Sequence, residues 1–478
     1  MSTDLALKGP ELIFSTVRPL GIEGDAFVEQ LRTQLMYYSY TLEVIKVSEL
    51  ISVLLPAGTI SADTREDERI RTLIDAGDKE CEERQSGAAL ACYAIAEIRR
   101  RRKLDTGDPG KALPRKAYLI DNIKRTGEVE LLRAIYGDRY VQFGLKSEDS
   151  NRKQSLVKKL SVKQFSKLKS EIENIVSELM EIDQKEDGKY GQKVAKAFPL
   201  SDVFIDYDED VSDQVSRFFS LFFGDPSYKP PTPVEFGMNL AYVSSTRSAE
   251  LGLKVGSAIV DNNGNLISLG YNHGPVERDK SPDHDASDND INMLILDTLQ
   301  ALGADGLNSE TRDKLARDPE SLVRELLESS LESARITELI EFQVTVHAEM
   351  SALLGALERG GVSPGHTIYV TAYPCHGCAK HIVAAGLKVV YLEPYPKSRA
   401  AAMYGESVED FSPFIGIAPS RYDTLFRVFS KRKTDTGRRI DWDEEARKKA
   451  LPKVSALTDQ REVAKREGIA SDILKLNK

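Results

Sequence analysis

Two short motifs hold the residues best suited to metal chemistry: His347-Ala348-Glu349 and Pro374-Cys375-His376-Gly377-Cys378. Together they offer one imidazole, two thiols and one carboxylate. A catalytic zinc typically takes three protein ligands and keeps a fourth position open for water. His347, Cys375 and Cys378 can be those three ligands. A Cys-x-x-Cys at a helix start aims both sulfurs at one point, and the helix N-terminus favours thiolate. Glu349 stands two residues from His347 and can reach a metal-activated water without ligating the metal. A carboxylate placed there can take a proton from the water and pass it to a leaving nitrogen. Cys-x-x-Cys alone is equally at home in a structural zinc half-site or a redox pair. The combination with H-x-E, in this order, favours a catalytic site over those two plainer readings.

These motifs need strands and helices to position them. Helical spacing is expected over His347–Glu358 and Cys375–Ala385, and strands at Val255–Val260, Leu266–Leu269, Thr367–Thr371 and Lys388–Leu392. Asn262–Asn265 (NNGN) reads as a hairpin turn between the first two strands. The stretch from about 276 to 340 reads as an insertion, acidic at first and then helical. Within it, Asp283, His284, Asp285, Asp288 and Asp290 form either a solvated loop or a second metal site. Phe236–Ser248 is expected to be helical, after a break at Lys229–Pro233.

Upstream, Glu11–Val17, a Gly-containing turn, an amphipathic segment and Thr41–Val47 read as strand, turn, helix, strand, the opening of a parallel α/β layer. One long charged helix is expected over Arg65–Lys103, with Cys81 and Cys92 on it as packing residues. Strand-like runs follow at Ala117–Ile123 and Tyr140–Lys146. Residues 151–189 read as a solvated helical connector, and 431–478 as a helical or loose charged tail.

Length and composition set limits. The chain has 478 residues, 65 Lys+Arg against 75 Asp+Glu and a net charge of −10. That length suggests several domains, and the acidic total disfavours binding of nucleic acid by bulk positive charge. Four cysteines in so long a chain do not make a secreted disulfide framework. The amino terminus carries no signal-peptide pattern, and no run of about 18 apolar residues marks a membrane span. A reduced, cytoplasmic protein is the expectation.

The stretch RSAELGLKVGSAIV from Arg247, the loop Gly270-Tyr271-Asn272-His273-Gly274-Pro275 and the two metal motifs resemble the deoxycytidylate deaminase branch of the cytidine deaminase superfamily. By that resemblance Asn272 hydrogen-bonds the nucleotide, against the plainer reading of a turn-forming Asn. Tyr373 and Val346 are placed either to line the pocket or simply to pack. Arg247 is the first candidate for a phosphate contact, with Lys254, Lys380, Lys397 and Arg399 as others.

The first turn, Val17-Arg18-Pro19-Leu20-Gly21-Ile22-Glu23-Gly24-Asp25, has glycines but lacks the Lys-Ser/Thr pair of a phosphate-binding P-loop. With Ala117–Asp121 and DNIKRTGEVELLRAIYGD, this half resembles a P-loop-kinase-like domain whose phosphate loop, at Gly21 and Gly24, has degenerated. The order of domains resembles the bacterial anti-phage dCTP deaminase family. The resemblance implies a P-loop-kinase-like parallel α/β domain (1–205), a cytidine-deaminase-like three-layer α/β/α domain (206–430) and a charged tail (431–478). It implies Zn²⁺ as cofactor, dCTP and dCMP as substrates, a regulatory nucleotide such as dTTP or an inhibitory RNA or other factor, and a homo-oligomer. Rival readings are a housekeeping dCMP deaminase, a nucleic-acid cytidine deaminase and a nucleotide sensor with an inactive deaminase fold.

Overall fold

The computed structural model describes residues 9–162, 169–184, 191–227, 229–274, 286–331, 334, 336, 345–392, 400–408, 411–427, 431–454 and 460–474. They divide into two compact units, Met1–Glu235 with Ile415–Lys478, and Phe236–Phe414.

The first unit is built on a six-stranded sheet. Its strands are β1 (Leu12–Val17), β2 (Thr41–Lys46), β3 (Lys116–Asp121), β4 (Tyr140–Lys146), β5 (Val203–Asp206) and the short β11 (Gly416–Ile417). The order is β11-β5-β4-β1-β3-β2. Five strands run parallel, as expected, but β11 pairs antiparallel with β5, so the sheet is mixed. The buried Glu235 carboxylate accepts the Ile417 N–H at 2.9 Å and so holds β11 on the edge. Every residue of β1 is buried, the signature of a strand covered on both faces.

One apolar core of this unit packs Phe14, Phe27 and Phe143 against Phe218, Phe219 and Phe222 of a helix at Val211–Phe223. Rings of Phe143 and Phe218 meet edge-on at 5.1 Å. Burying each such ring stabilises by about 1.5–3 kcal/mol. This packing moves the unit boundary from the expected 206 to Glu235. Trp442, Ala450 and Val454 join the same core, so residues 431–454 are not a loose tail.

Two further expectations change. The single helix expected over Arg65–Lys103 is two, α1 (Glu66–Glu83) and α2 (Ala89–Thr106). They are separated where Gln85 takes φ +49 and Ser86-Gly87 follows. Cys81 and Cys92 therefore sit on different helices, both buried. The connector expected over 151–189 holds helices α3 (Asp149–Ser161) and α4 (Lys169–Gln184). Leu156, Leu160, Ile172, Val176 and Leu179 pack with Ile70 into a second core, so this segment is structural and not merely solvated.

The second unit carries a five-stranded sheet of order β10-β9-β8-β6-β7. The strands are β6 (Gly256–Val260), β7 (Leu266–Tyr271), β8 (Thr367–Val370), β9 (Lys388–Tyr391) and β10 (Phe411–Pro413). β6 is antiparallel to both β7 and β8, while β8, β9 and β10 are parallel. The turn joining β6 to β7 is closed by Asp261, whose carboxylate accepts the N–H groups of Asn263 and Asn265, both at 2.8 Å. Helices α5 (Pro233–Ser245), α6 (Ala348–Leu357) and α7 (His376–Ala384) carry or support the site. Part of the expected insertion is described as helices Ala286–Gly306, Ser309–Arg317 and Pro319–Leu327. The acidic residues Asp283, His284 and Asp285 lie outside the described residues, as do Lys397 and Arg399. Among the described residues, no helix is long and apolar enough to cross a membrane.

Candidate metal centre and active site

Both metal motifs sit at helix starts. His347 is the N-cap of α6, with extended backbone (φ −67, ψ 153), and Cys375 is the N-cap of α7 (φ −65, ψ 164). The Cys378 N–H donates to Cys375 Sγ at 3.4 Å, so the first turn of α7 folds around one of its own sulfurs. His347 Nδ1 lies 3.3 Å from Cys375 Sγ and 3.5 Å from Cys378 Sγ. The three ligand atoms all fall within 4.8 Å of one another. Ordinary zinc–nitrogen and zinc–sulfur bonds in a tetrahedron give an N–S edge of about 3.5 Å. The donor set and its spacing therefore fit one tetrahedral zinc, and two helix N-termini oppose the charge of the thiolates.

Electrostatics agree. The hydrogen bond from Cys378, with His347 beside it, lowers the Cys375 thiol to about 4. Contact with Cys375 raises the His347 imidazole, against the opposing effect of burial. The Cys378 thiol is held up by its bond to Cys375, by burial and by the nearby Glu349. Glu349 itself is buried, and burial, reinforced by the Cys375 charge, pushes its carboxyl up to about 7. A carboxyl poised near neutrality can both accept and return a proton in one turnover.

The remaining candidates fall into place unevenly. Asn272 is nearly buried, and its carboxamide accepts from Val255 N–H and donates to the Leu253 carbonyl, each at 2.8 Å. That anchors the turn before β6 and leaves one lone pair and one N–H for another partner. Val346 forms a two-bond bridge with His273, at 3.1 and 2.9 Å. The loop after β7 is thereby stitched to the residue before His347. Tyr373 packs edge-on against Tyr391 at 4.8 Å and near Phe411 at 5.9 Å, which gives it a packing role. Arg247 is exposed and lies over the Tyr271 ring at 4.6 Å, beside the Asn272 loop. Lys254 and Lys380 are exposed surface residues. Thus His347, Glu349, Cys375 and Cys378 converge, and Val346 and Asn272 frame the adjoining loop.

Several residues that hold the site were not singled out. Ser257, fully buried on β6, donates to the Ala348 carbonyl at 2.7 Å, between His347 and Glu349. Gly270 admits α6 so closely that a Cβ there would meet Ala348 O at 2.1 Å. His273 is buried, with Nδ1 2.6 Å from the Gly274 carbonyl and Nε2 3.3 Å from Ser351 Oγ on α6. Tyr404 donates to the His376 carbonyl at 2.9 Å and steadies the first turn of α7 between the two cysteines. Ser244 and Ser248 donate to the carbonyls of Gly270 and Asn272 at 2.7 and 2.9 Å. The one signal available was the four-residue spacing of those two serines beside a strand end.

Residues 232–393 match the family model described as the cytidine and deoxycytidylate deaminase zinc-binding region. A deoxycytidylate deaminase of enterobacteria phage T2 is 31% identical over 163 residues, covering 34% of this chain and 80% of its own length. The phage T4 deoxycytidylate deaminase is likewise 31% identical over 163 residues, covering 34% of this chain and 78% of its own length. A solved structure of the cyanophage S-TIM5 dCMP deaminase is 18% identical, spans 39% of this chain and 99% of that one, and superposes with a TM-score of 0.23. The metal for which the His347, Cys375 and Cys378 donors are suited is zinc.

Proposed function

The chain belongs to the deoxycytidylate deaminase family, and we propose that it hydrolyses the exocyclic amine of deoxycytidine nucleotides, dCTP to dUTP and dCMP to dUMP. It is a zinc-dependent deaminase. The observation that carries the reading is the buried Glu349 carboxyl beside the His347-Cys375-Cys378 triad, within the stretch that matches deoxycytidylate deaminases. Bound zinc supplies a water that ionises near neutral pH. Glu349 would accept a proton from the attacking water as the water oxygen bonds to C4 of cytosine. It delivers that proton to N3, then takes the second proton from the new C4 hydroxyl and gives it to the amine as C4=O forms, the C4–N bond breaks and ammonia leaves. Water is consumed, ammonia is released and no redox change occurs. Asn272, held rigid by Val255 and Leu253, supports the nucleotide through its spare N–H and lone pair. Arg247 is the phosphate contact to test first.

The first unit supports a kinase-like reading without phosphate transfer. Its parallel strands run in the order β5-β4-β1-β3-β2, with the glycine turn directly after β1. That turn is poorly equipped to hold phosphate: the Leu20 N–H is already taken by the Asp183 carboxylate at 2.6 Å, and the Arg18 N–H by Asn122 Oδ1 at 3.0 Å. Gly21, at φ +100, abuts the Arg152 backbone. We assign this unit to control of the deaminase, and the whole chain to depletion of dCTP during phage infection.

Chromatography of dCTP and dCMP after incubation with the protein, with and without dTTP, tests substrate and feedback together. Turnover of dCMP alone would favour the housekeeping reading. Glu349→Gln should retain zinc at the parent level by metal analysis and lose about 10²–10⁴-fold in turnover; a variant that still deaminates at the parent rate removes Glu349 from the chemistry. Cells carrying the parent chain, but not Glu349→Gln, should lose dCTP and resist phage.

A further inference from the structure

The first unit contains a cavity of about 400 Å³ at the carboxyl ends of β1, β2 and β3. Arg18 follows β1, Lys46 ends β2 and Asp121 ends β3, and all three line it. In open α/β sheets, ligands bind in the crevice outside these strand ends, and this volume lies in the range of small-molecule pockets.

Its walls are of two kinds. One is apolar, formed by Ile51, Ile70, Leu73 and Leu156. The other is polar and ends at Gln192, which is 3% exposed and whose Nε2 has no hydrogen-bond partner. A buried carboxamide N–H without an acceptor costs about 1–3 kcal/mol. A ligand carbonyl or ring nitrogen would satisfy it.

The charge pattern limits what that ligand can be. Arg18 is paired with Asp121 at 3.0 Å, and Glu66 takes both Arg69 at 2.8 Å and Lys159 at 3.3 Å. Lys124 is engaged by Asp183, and Arg125 by Asp78 and, at 3.8 Å, Glu128. Of the cations lining the cavity, Lys46 alone has no carboxylate partner among the described residues. Of the loop amides after β1, those of Arg18 and Leu20 are already engaged. The cavity therefore has one free positive charge, an apolar slot and an orphaned donor.

We infer that this cavity binds a flat heterocycle with edge acceptors and at most one phosphate, that is, a nucleoside or nucleoside 5′-monophosphate, in preference to a triphosphate. The ring lies in the apolar slot, an edge acceptor takes the Gln192 N–H, and Lys46 faces the single phosphate. This does not rest on the deaminase reading, since every residue involved belongs to the first unit.

Isothermal titration calorimetry on the full chain tests it, with deoxyadenosine, deoxyguanosine, thymidine, deoxycytidine, their 5′-monophosphates and their triphosphates as probes. The probes are run on the Glu349→Gln background so that none is consumed. At least one nucleoside or monophosphate should bind, and its Kd should rise tenfold or more in Gln192→Leu and in Leu73→Trp, which fills the slot. The matching triphosphate should bind at least tenfold more weakly than the monophosphate. Lys46→Glu, at an exposed position that leaves the core untouched, should weaken the monophosphate about fivefold and leave the nucleoside unchanged; it carries the test if a core variant fails to fold. Absence of binding by every probe overturns the inference. So does a triphosphate that binds tighter than its monophosphate and is itself weakened by Gln192→Leu or Leu73→Trp, or an affinity that Lys46→Glu and the folded cavity variants leave unmoved.

Discussion

Ser257 shows how a single hydroxyl can hold in place a carboxylate, the proposed proton carrier, that it does not touch. Its bond to the Ala348 carbonyl, at 2.7 Å, fixes the peptide between the ligand His347 and the acid Glu349. Ser257→Ala removes that tether and little volume, so the fold should lose about 1 kcal/mol. Proton transfer depends on alignment within a fraction of an ångström. Steady-state kinetics should therefore show kcat falling about tenfold with KM nearly constant; equal kcat in variant and parent would leave Ser257 a purely structural residue. His347, Cys375 and Cys378 were legible in the sequence because each is a scarce type at a fixed spacing, and Glu349 because it stands two residues from His347; the structure brings the four together. Ser257, His273 and Tyr404 were not, because a buried serine on a strand has no local signature. Its importance comes from a residue 91 positions away. Asn272 was legible as a candidate, yet its two bonds to the loop at Leu253 and Val255 needed the folded chain.

Among the elements, α6 depends on how closely β7 lets it approach. A Cβ on Gly270 would lie 2.1 Å from Ala348 O and 2.4 Å from Ala352 N, and both are helix backbone that cannot swing aside. Gly270→Ala should cost about 3 kcal/mol and displace His347 and Glu349 together, seen as a lower Tm and reduced zinc content. A parent-like Tm would show that the helix has room. In the first unit, Glu66 of α1 ties two helices together. Burial pushes its carboxyl up, but Arg69 at 2.8 Å and Lys159 of α3 at 3.3 Å outweigh burial and hold it below the ordinary carboxylate range. A depressed pKa contributes stability above the unfolded-state value, and that contribution is lost as pH falls through the folded-state value. Because the pair is partly exposed, Glu66→Gln should cost only about 0.5–1 kcal/mol at pH 7. The difference should vanish in melts below about pH 3–4; a cost that persists there would mean lost packing and not lost charge. Strand runs were legible because alternating or fully apolar segments with turns between them leave few options. The break after Glu83 was missed because helix-favouring residues on both sides, charged before it and Ala-rich after it, mask a Ser-Gly break.

At the scale of the whole molecule, the two units are held by different means, and this gives each its own point of failure. The first is closed by its carboxyl-terminal helix, Gln460–Ile473, through a buried ion cluster. Arg102, 1% exposed, donates to Glu467 at 2.6 and 2.9 Å and to Glu11 as well. Removing one partner from such a cluster leaves buried charge unbalanced and costs about 3–5 kcal/mol. The sequence reading of a helical or loose tail was right about a helix here, but one Glu in a charged helix does not reveal that it inserts into a core. The second unit is stapled by zinc, since its three ligands come from two helix starts 28 and 31 residues apart, and metal binding is coupled to folding. Calorimetry of the full chain should therefore separate the two. Glu467→Ala should lower the transition of the first unit and leave zinc content and the second transition in place. A zinc chelator on the parent chain should lower the transition of the second unit and spare the first. If both treatments lower one common transition by similar amounts, the units unfold as a single cooperative body, and the division of labour between them has no thermodynamic counterpart.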